Sequence, residues 1–193
     1  MAACAVRAVA EVGRGAGERG TAAAGVGGGG KGGGVSVGGG RGRGTSPMRR
    51  TAGVRNTKPL LVIDGGGLVT LSGMGRRRIL YQNTCDRART WTTDHCQNQA
   101  TPRLVVKGLT LARGNATGER TDGGGGGAIF ARGGRLTVVN TRFTGNRCDP
   151  SGPDVGGAAI RALSQFRNRP VRVVRSTFTG GRCANGGALS SIG

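Results

Sequence analysis

Beyond Thr57 the chain carries seven carboxylates, Asp64, Asp86, Asp94, Glu119, Asp122, Asp149 and Asp154, together with its one histidine, His95. Two carboxylates at a suitable separation can hydrolyse a glycosidic bond, and a calcium-binding cluster beside a base can abstract a sugar proton. The spacing here offers neither. Asp64 stands in IDGGG, and Asp149 and Asp154 flank Pro150, Gly152 and Pro153, both turn compositions. Asp94, His95 and Cys96 adjoin one another, as members of a metal or thiol-histidine site do. Neighbours in an extended segment point in opposing directions and do not converge on one atom, so this stretch reads as a polar loop. The five cysteines, Cys4, Cys85, Cys96, Cys148 and Cys183, form no C-x-x-C pair. With one histidine they make no zinc site, and no metal or cofactor is called for. Cys85 with Cys96, and Cys148 with Cys183, can form disulfides in an oxidising compartment, with free thiols as the alternative.

The elements that would position such groups begin near residue 58. Residues 1–57 are mostly Gly, Ala, Arg, Val, Ser and Thr, with no hydrophobic period, and read as a disordered tail. Met48 is an alternative start to Met1. GGRGRG in this tail has the composition of an arginine-glycine RNA-binding segment, but it is short and lacks interleaved aromatics, so nucleic-acid binding is disfavoured. The net charge of +20 attracts polyanions of any kind and so names only a class of partner. The longest apolar stretches are only a few residues, too short for a transmembrane helix, and residues 1–15 make a poor export signal.

From Lys58 to Gly193 short β-branched runs alternate with glycine turns. GGAIF at 126–130 recurs as GGAAI at 156–160 and GGALS at 186–190, and LTVVNTRFTGNRC at 136–148 recurs as VRVVRSTFTGGRC at 171–183. LVVKGLTLARGN at 104–115 is a fainter copy. Two interleaved motifs mean at least two strands per repeat. Stacking equivalent residues predicts ladders of Leu104, Leu136 and Val171; Val106, Val138 and Val173; Leu111, Phe143 and Phe178; and Ala128, Ala158 and Ala188. Like residues at like positions favour a solenoid over a β-sandwich. The predicted fold is all-β, a right-handed parallel β-helix of about four coils.

GGAIF, GGAAI and GGALS, with FTGN at 143–146, resemble the GGA[ILV] and FxxN repeats of polymorphic outer membrane proteins. VIDGGGLVTLSG, GGGGGAIFARGGRLTVVNTRF, GPDVGGAAIRALSQ and CANGGALSSIG resemble bacterial right-handed β-helix proteins of the pectin lyase-like superfamily, over about residues 60–193. The resemblance implies an extracellular or cell-surface protein, but weakly implies activity, because the superfamily includes lyases, hydrolases, adhesins and passive surface proteins. The Asp-Asp and Gly-His-Gly motifs of polygalacturonase-like enzymes are missing, and RNRPVR at 167–172 only loosely resembles the pectate-lyase-like Arg-Pro signature. The last repeat breaks off at GGALSSIG, which suggests a C-terminally truncated piece. The expected function is a non-enzymatic surface or secreted module whose basic, hydroxyl-bearing face binds acidic polysaccharide or a protein surface. The alternatives are a lyase or glycosidase fragment whose active site lies in further coils, and nucleic-acid binding by the tail. Oligomeric state is left open.

Overall fold

The computed structural model describes residues 7–9, 44–54, 60–85, 97–120, 124–164, 166–168 and 171–192. Most of the expected tail, and Asp86, Asp94, His95, Cys96 and Asp122, lie outside the described residues. The described chain is all-β, with a single 3-10 turn at Phe166–Asn168. Its strands are β1 (Arg7–Val9), β2 (Gly44–Pro47), β3 (Ala52–Val54), β4 (Leu60–Ser72), β5 (Leu80–Asn83), β6 (Arg103–Ala112) and β7 (Ile129–Arg132). They continue with β8 (Arg135–Val139), β9 (Arg142–Thr144), β10 (Ile160–Leu163), β11 (Val171–Val174), β12 (Thr177–Thr179) and β13 (Leu189–Ile192). No helix among the described residues is long and apolar enough to cross a membrane.

These strands form two sheets, and from β2 onward the chain alternates strictly between them. The first sheet takes β2, β4, β6, then β8 with β9, then β11 with β12; the second takes β3, β5, β7, β10 and β13. Every pair in this series is parallel, and the antiparallel pair is β1 on β4. Parallel neighbours require a crossover, and here each crossover is a visit to the opposite sheet. Strands β2 and β3 fall within residues 1–57, so pairing begins before residue 58.

Single residues at positive φ set the corners. Gly108 (φ 58°), Asn140 (47°) and Arg175 (48°) occupy one position on successive passes and bend the first sheet. Glycine, and to a lesser degree asparagine, tolerates this region, whereas arginine is strained there. At a second corner Gly126 (φ 65°), Gly157 (69°) and Gly186 (67°) stack. A Cβ on Gly157 would collide with the Ile160 carbonyl oxygen, which leaves glycine as the residue that fits.

That second corner corrects one expected ladder. The GGA motifs recur at a constant 30 residues, but Ile129 pairs with Ile160 and Ile160 with Leu189, so the structural register is 31 and then 29. Ala159, not Ala158, therefore stands between Ala128 and Ala188, donating its N–H to Ala188 and accepting from Ala128. The cause is that Gly157, and not Gly156, takes the left-handed conformation of Gly126 and Gly186. In the first sheet Leu136 pairs with Val171, Val138 with Val173 and Phe143 with Phe178, while Leu104, Val106 and Leu111 precede them. These side chains meet Leu80, Ile129, Ala131, Ile160 and Ala162 of the second sheet in one continuous core. The Phe143 and Phe178 rings stack with centroids 4.6 Å apart. Each fully buried Leu, Ile or Phe contributes roughly 1.5–3 kcal/mol by leaving water.

Cys148 and Cys183 form a disulfide between adjacent passes, with Cα atoms 4.8 Å apart, beside a small cluster of Ala116 and Val155. Cys85 is also disulfide-bonded, and Cys96, its expected partner, lies outside the described residues.

Candidate functional site

Among the described acidic residues, Asp64, Asp149 and Glu119 are engaged in holding the fold. Asp64 accepts from the Gly66 N–H at 2.9 Å and pairs with the Lys107 ammonium at 3.0 Å. Burial raises its pKa, but the Gly66 N–H and Lys107 together outweigh that and hold the carboxyl below its ordinary value. Both Asp149 oxygens accept from the Gly118 N–H, at 3.1 and 3.0 Å. Glu119 lies 3.4 Å from the guanidinium of Arg78. Asp154 is exposed in a turn. Among the described residues, no three of His, Cys, Asp and Glu gather into a metal-binding group.

Arg78 was indistinguishable from Arg76 and Arg77 in sequence, yet it is only 2% exposed. Its Nε donates to the Gly126 carbonyl at 3.0 Å and one terminal nitrogen to the Gly125 carbonyl at 2.8 Å. Its guanidinium also lies 4.9 Å from the centre of the Phe130 ring and 5.5 Å from that of Tyr81. Burial lowers its pKa, and the charge of Glu119 partly offsets this. Arg78 therefore fastens the glycine corner of the next pass, and its donors are consumed by the fold.

The outer face of the first sheet is different. Beyond the bend, Thr70, Thr110, Arg142 and Thr177 pair in one row across four passes, and their side chains face away from the core. Period-2 alternation fixes this: Leu111 and Phe143 point inward, so their neighbours Thr110 and Arg142 point outward. Beside this row, at the bend, lies a groove of about 320 Å³ lined by Leu68, Thr70, Gly108, Thr110, Asn140 and Arg142. Leu68 is 45% exposed at the rim. A Cβ on Gly108 would stand 3.0 Å from the Gly67 nitrogen and 3.3 Å from the Asp64 carboxylate, so glycine keeps the floor open.

Chemically, the groove offers two hydroxyls, a carboxamide, a guanidinium and one apolar patch. Among the described residues, Arg142 has no carboxylate partner. Such a set hydrogen-bonds polyols and pairs with anions, and it includes no acid or base poised for proton transfer. The ladder identifies which side chains face outward. The groove itself depends on the bend, and positive φ at Asn140 leaves only a weak trace in the sequence.

No family model matches the chain, and comparison with curated proteins and with solved structures returns no match.

Proposed function

We propose that the two alternating sheets are walls of a right-handed parallel β-helix in a bacterial surface or secreted protein, and that the bent outer face of the first sheet binds acidic polysaccharide without cleaving it. Supporting the helix are the strict alternation of sheets, the stacked corner residues and the parallel register. The observation that carries the function is the row of Thr70, Thr110 and Arg142 lining an open groove. Threonine hydroxyls can donate to and accept from sugar hydroxyls, the planar guanidinium matches a uronic carboxylate with two parallel donors, and Leu68 offers an apolar surface to a ring face. Neighbours within this row stand about 4.8 Å apart from strand to strand, a linear array that suits a polymer better than a small molecule. The chain's excess positive charge adds a long-range attraction that salt screens.

The full chain is expected to bind polygalacturonate at low ionic strength, with affinity falling steeply as sodium chloride is raised, as calorimetry would measure. Absence of binding at low salt overturns this ligand class.

A further inference from the structure

A second basic cluster lies on the same outer face, at the far end of the first sheet from the groove. Arg103 and Arg135 are paired neighbours on β6 and β8, and both side chains stand on the face away from the core. The 3-10 turn between β10 and β11 brings Phe166 and Arg167 to Arg135. The guanidinium carbons of Arg135 and Arg167 each lie 5.3 Å from the centre of the Phe166 ring. Arg135 is further fixed by its Nε donating to the Ala100 carbonyl at 3.1 Å. Burial, and then the like charges of Arg103 and Arg167, lower the Arg135 pKa, as expected for guanidinium groups crowded without a counter-charge. The ion pairs seen among the described residues, Arg78 with Glu119 and Lys107 with Asp64, leave these three arginines unpaired.

Three like charges held together repel one another, and an anion relieves that repulsion. We infer that Arg103, Arg135 and Arg167, braced by Phe166, form an oxyanion site that takes a sulfate ester on the polysaccharide. A carboxylate has two oxygens in one plane, and a single guanidinium fork already matches it. A sulfate ester presents three terminal oxygens that do not share a plane with its bridging oxygen, which suits donors arriving from two strands and a turn. Phe166 is a positioning residue: its ring lies against the guanidinium groups of Arg135 and Arg167, and the donors that Arg135 does not give to Ala100 are left for the ligand. Along β6, Arg103 is followed on the same face by Val105 and Lys107 before the groove. At about 3.3 Å per residue, the site and the groove sit roughly 20 Å apart, within the span of one oligosaccharide.

The sulfate assignment rests on the polysaccharide reading, so its test separates the two. The first arm uses sodium sulfate and follows the side-chain Nε–H resonances of the full chain by NMR at constant ionic strength. Saturable shifts at Arg103, Arg135 and Arg167, absent from Arg50 and Arg120, are expected. Equal, non-saturating shifts at every arginine overturn the site. The second arm compares dextran sulfate with polygalacturonate. Arg167→Gly removes a charge at φ 51°, where glycine is at ease, and Arg103→Ala removes an exposed side chain, so both variants should fold. Each should weaken dextran sulfate binding about tenfold and polygalacturonate binding less than about twofold. Wild-type affinity for dextran sulfate in both variants overturns the inference and leaves the groove untouched. Saturable sulfate shifts in a chain that ignores polygalacturonate support the site and count against the groove.

Discussion

Strands β8 and β10 lie in successive visits to the two sheets, yet water treats them differently. In β8, Arg135–Val139, buried and half-buried residues alternate, whereas all four residues of β10, Ile160–Leu163, are buried. The first sheet therefore has one covered face and one open face at β8, whereas the second is covered on both sides at β10 and opens only toward its end strand β13. Polar residues on the two sheets have correspondingly different work. On the second, Arg161 is buried and donates to Ser190 at 2.8 Å, and Tyr81 stacks on Phe130 at 5.4 Å. On the first, Thr110 and Arg142 spend none of their side-chain chemistry on the core.

Substitutions that contrast the faces test this division. The largest effect belongs to the inner face of the first sheet. Phe143→Ala should lower unfolding free energy by about 3–5 kcal/mol in urea titration, while Thr110→Ala, in the adjoining strand but facing outward, should change it by less than about 0.5 kcal/mol. A comparable loss in both would mean that the sheet has no open face.

Next come two arginines. Arg78→Ala strands the Gly125 and Gly126 carbonyls and should cost about 2–4 kcal/mol, whereas Arg142→Ala should leave the melting temperature unchanged. If Arg78→Ala proves silent, the corner does not depend on its staple.

The smallest effect is electrostatic. Because the folded-state pKa of Asp64 is lowered, the stability it adds is fully present above the ordinary aspartate range and is lost as pH falls through the lowered value. The carboxylate is partly exposed and screened, so wild type should exceed Asp64→Asn by less than about 1 kcal/mol at pH 7. That margin should shrink as pH falls below the ordinary aspartate value of about 3.9. A margin that persists at pH 2 would assign the effect to shape and not to charge.

Much of this architecture was legible in the sequence because a strand with one covered face imprints a period of two. Leu136, Val138, Val171 and Val173 show it directly, and their pairing follows. Ala158 misled because GGAAI holds two alanines and composition does not say which one stacks. The backbone of Gly157 decides that, and with glycine at both 156 and 157 the residue type does not show which of the two turns. Strands β2 and β3 leave little trace in the sequence because GTSP and AGV carry little apolar signal, and their pairing with β4 and β5 supplies what local propensity lacks. The groove was hidden for a related reason. Gly108, Asn140 and Arg175 share one bend but no shared chemistry, so three unlike residues conceal a repeated corner.

The central claim is that the open face of the first sheet is the working surface and that its chemistry is separable from folding. Titrating polygalacturonate into wild type and Arg142→Ala at low salt, with melting temperatures recorded on the same samples, tests it most directly. We expect affinity to fall about tenfold with the melting temperature unchanged. Undiminished affinity in the folded variant would contradict the claim.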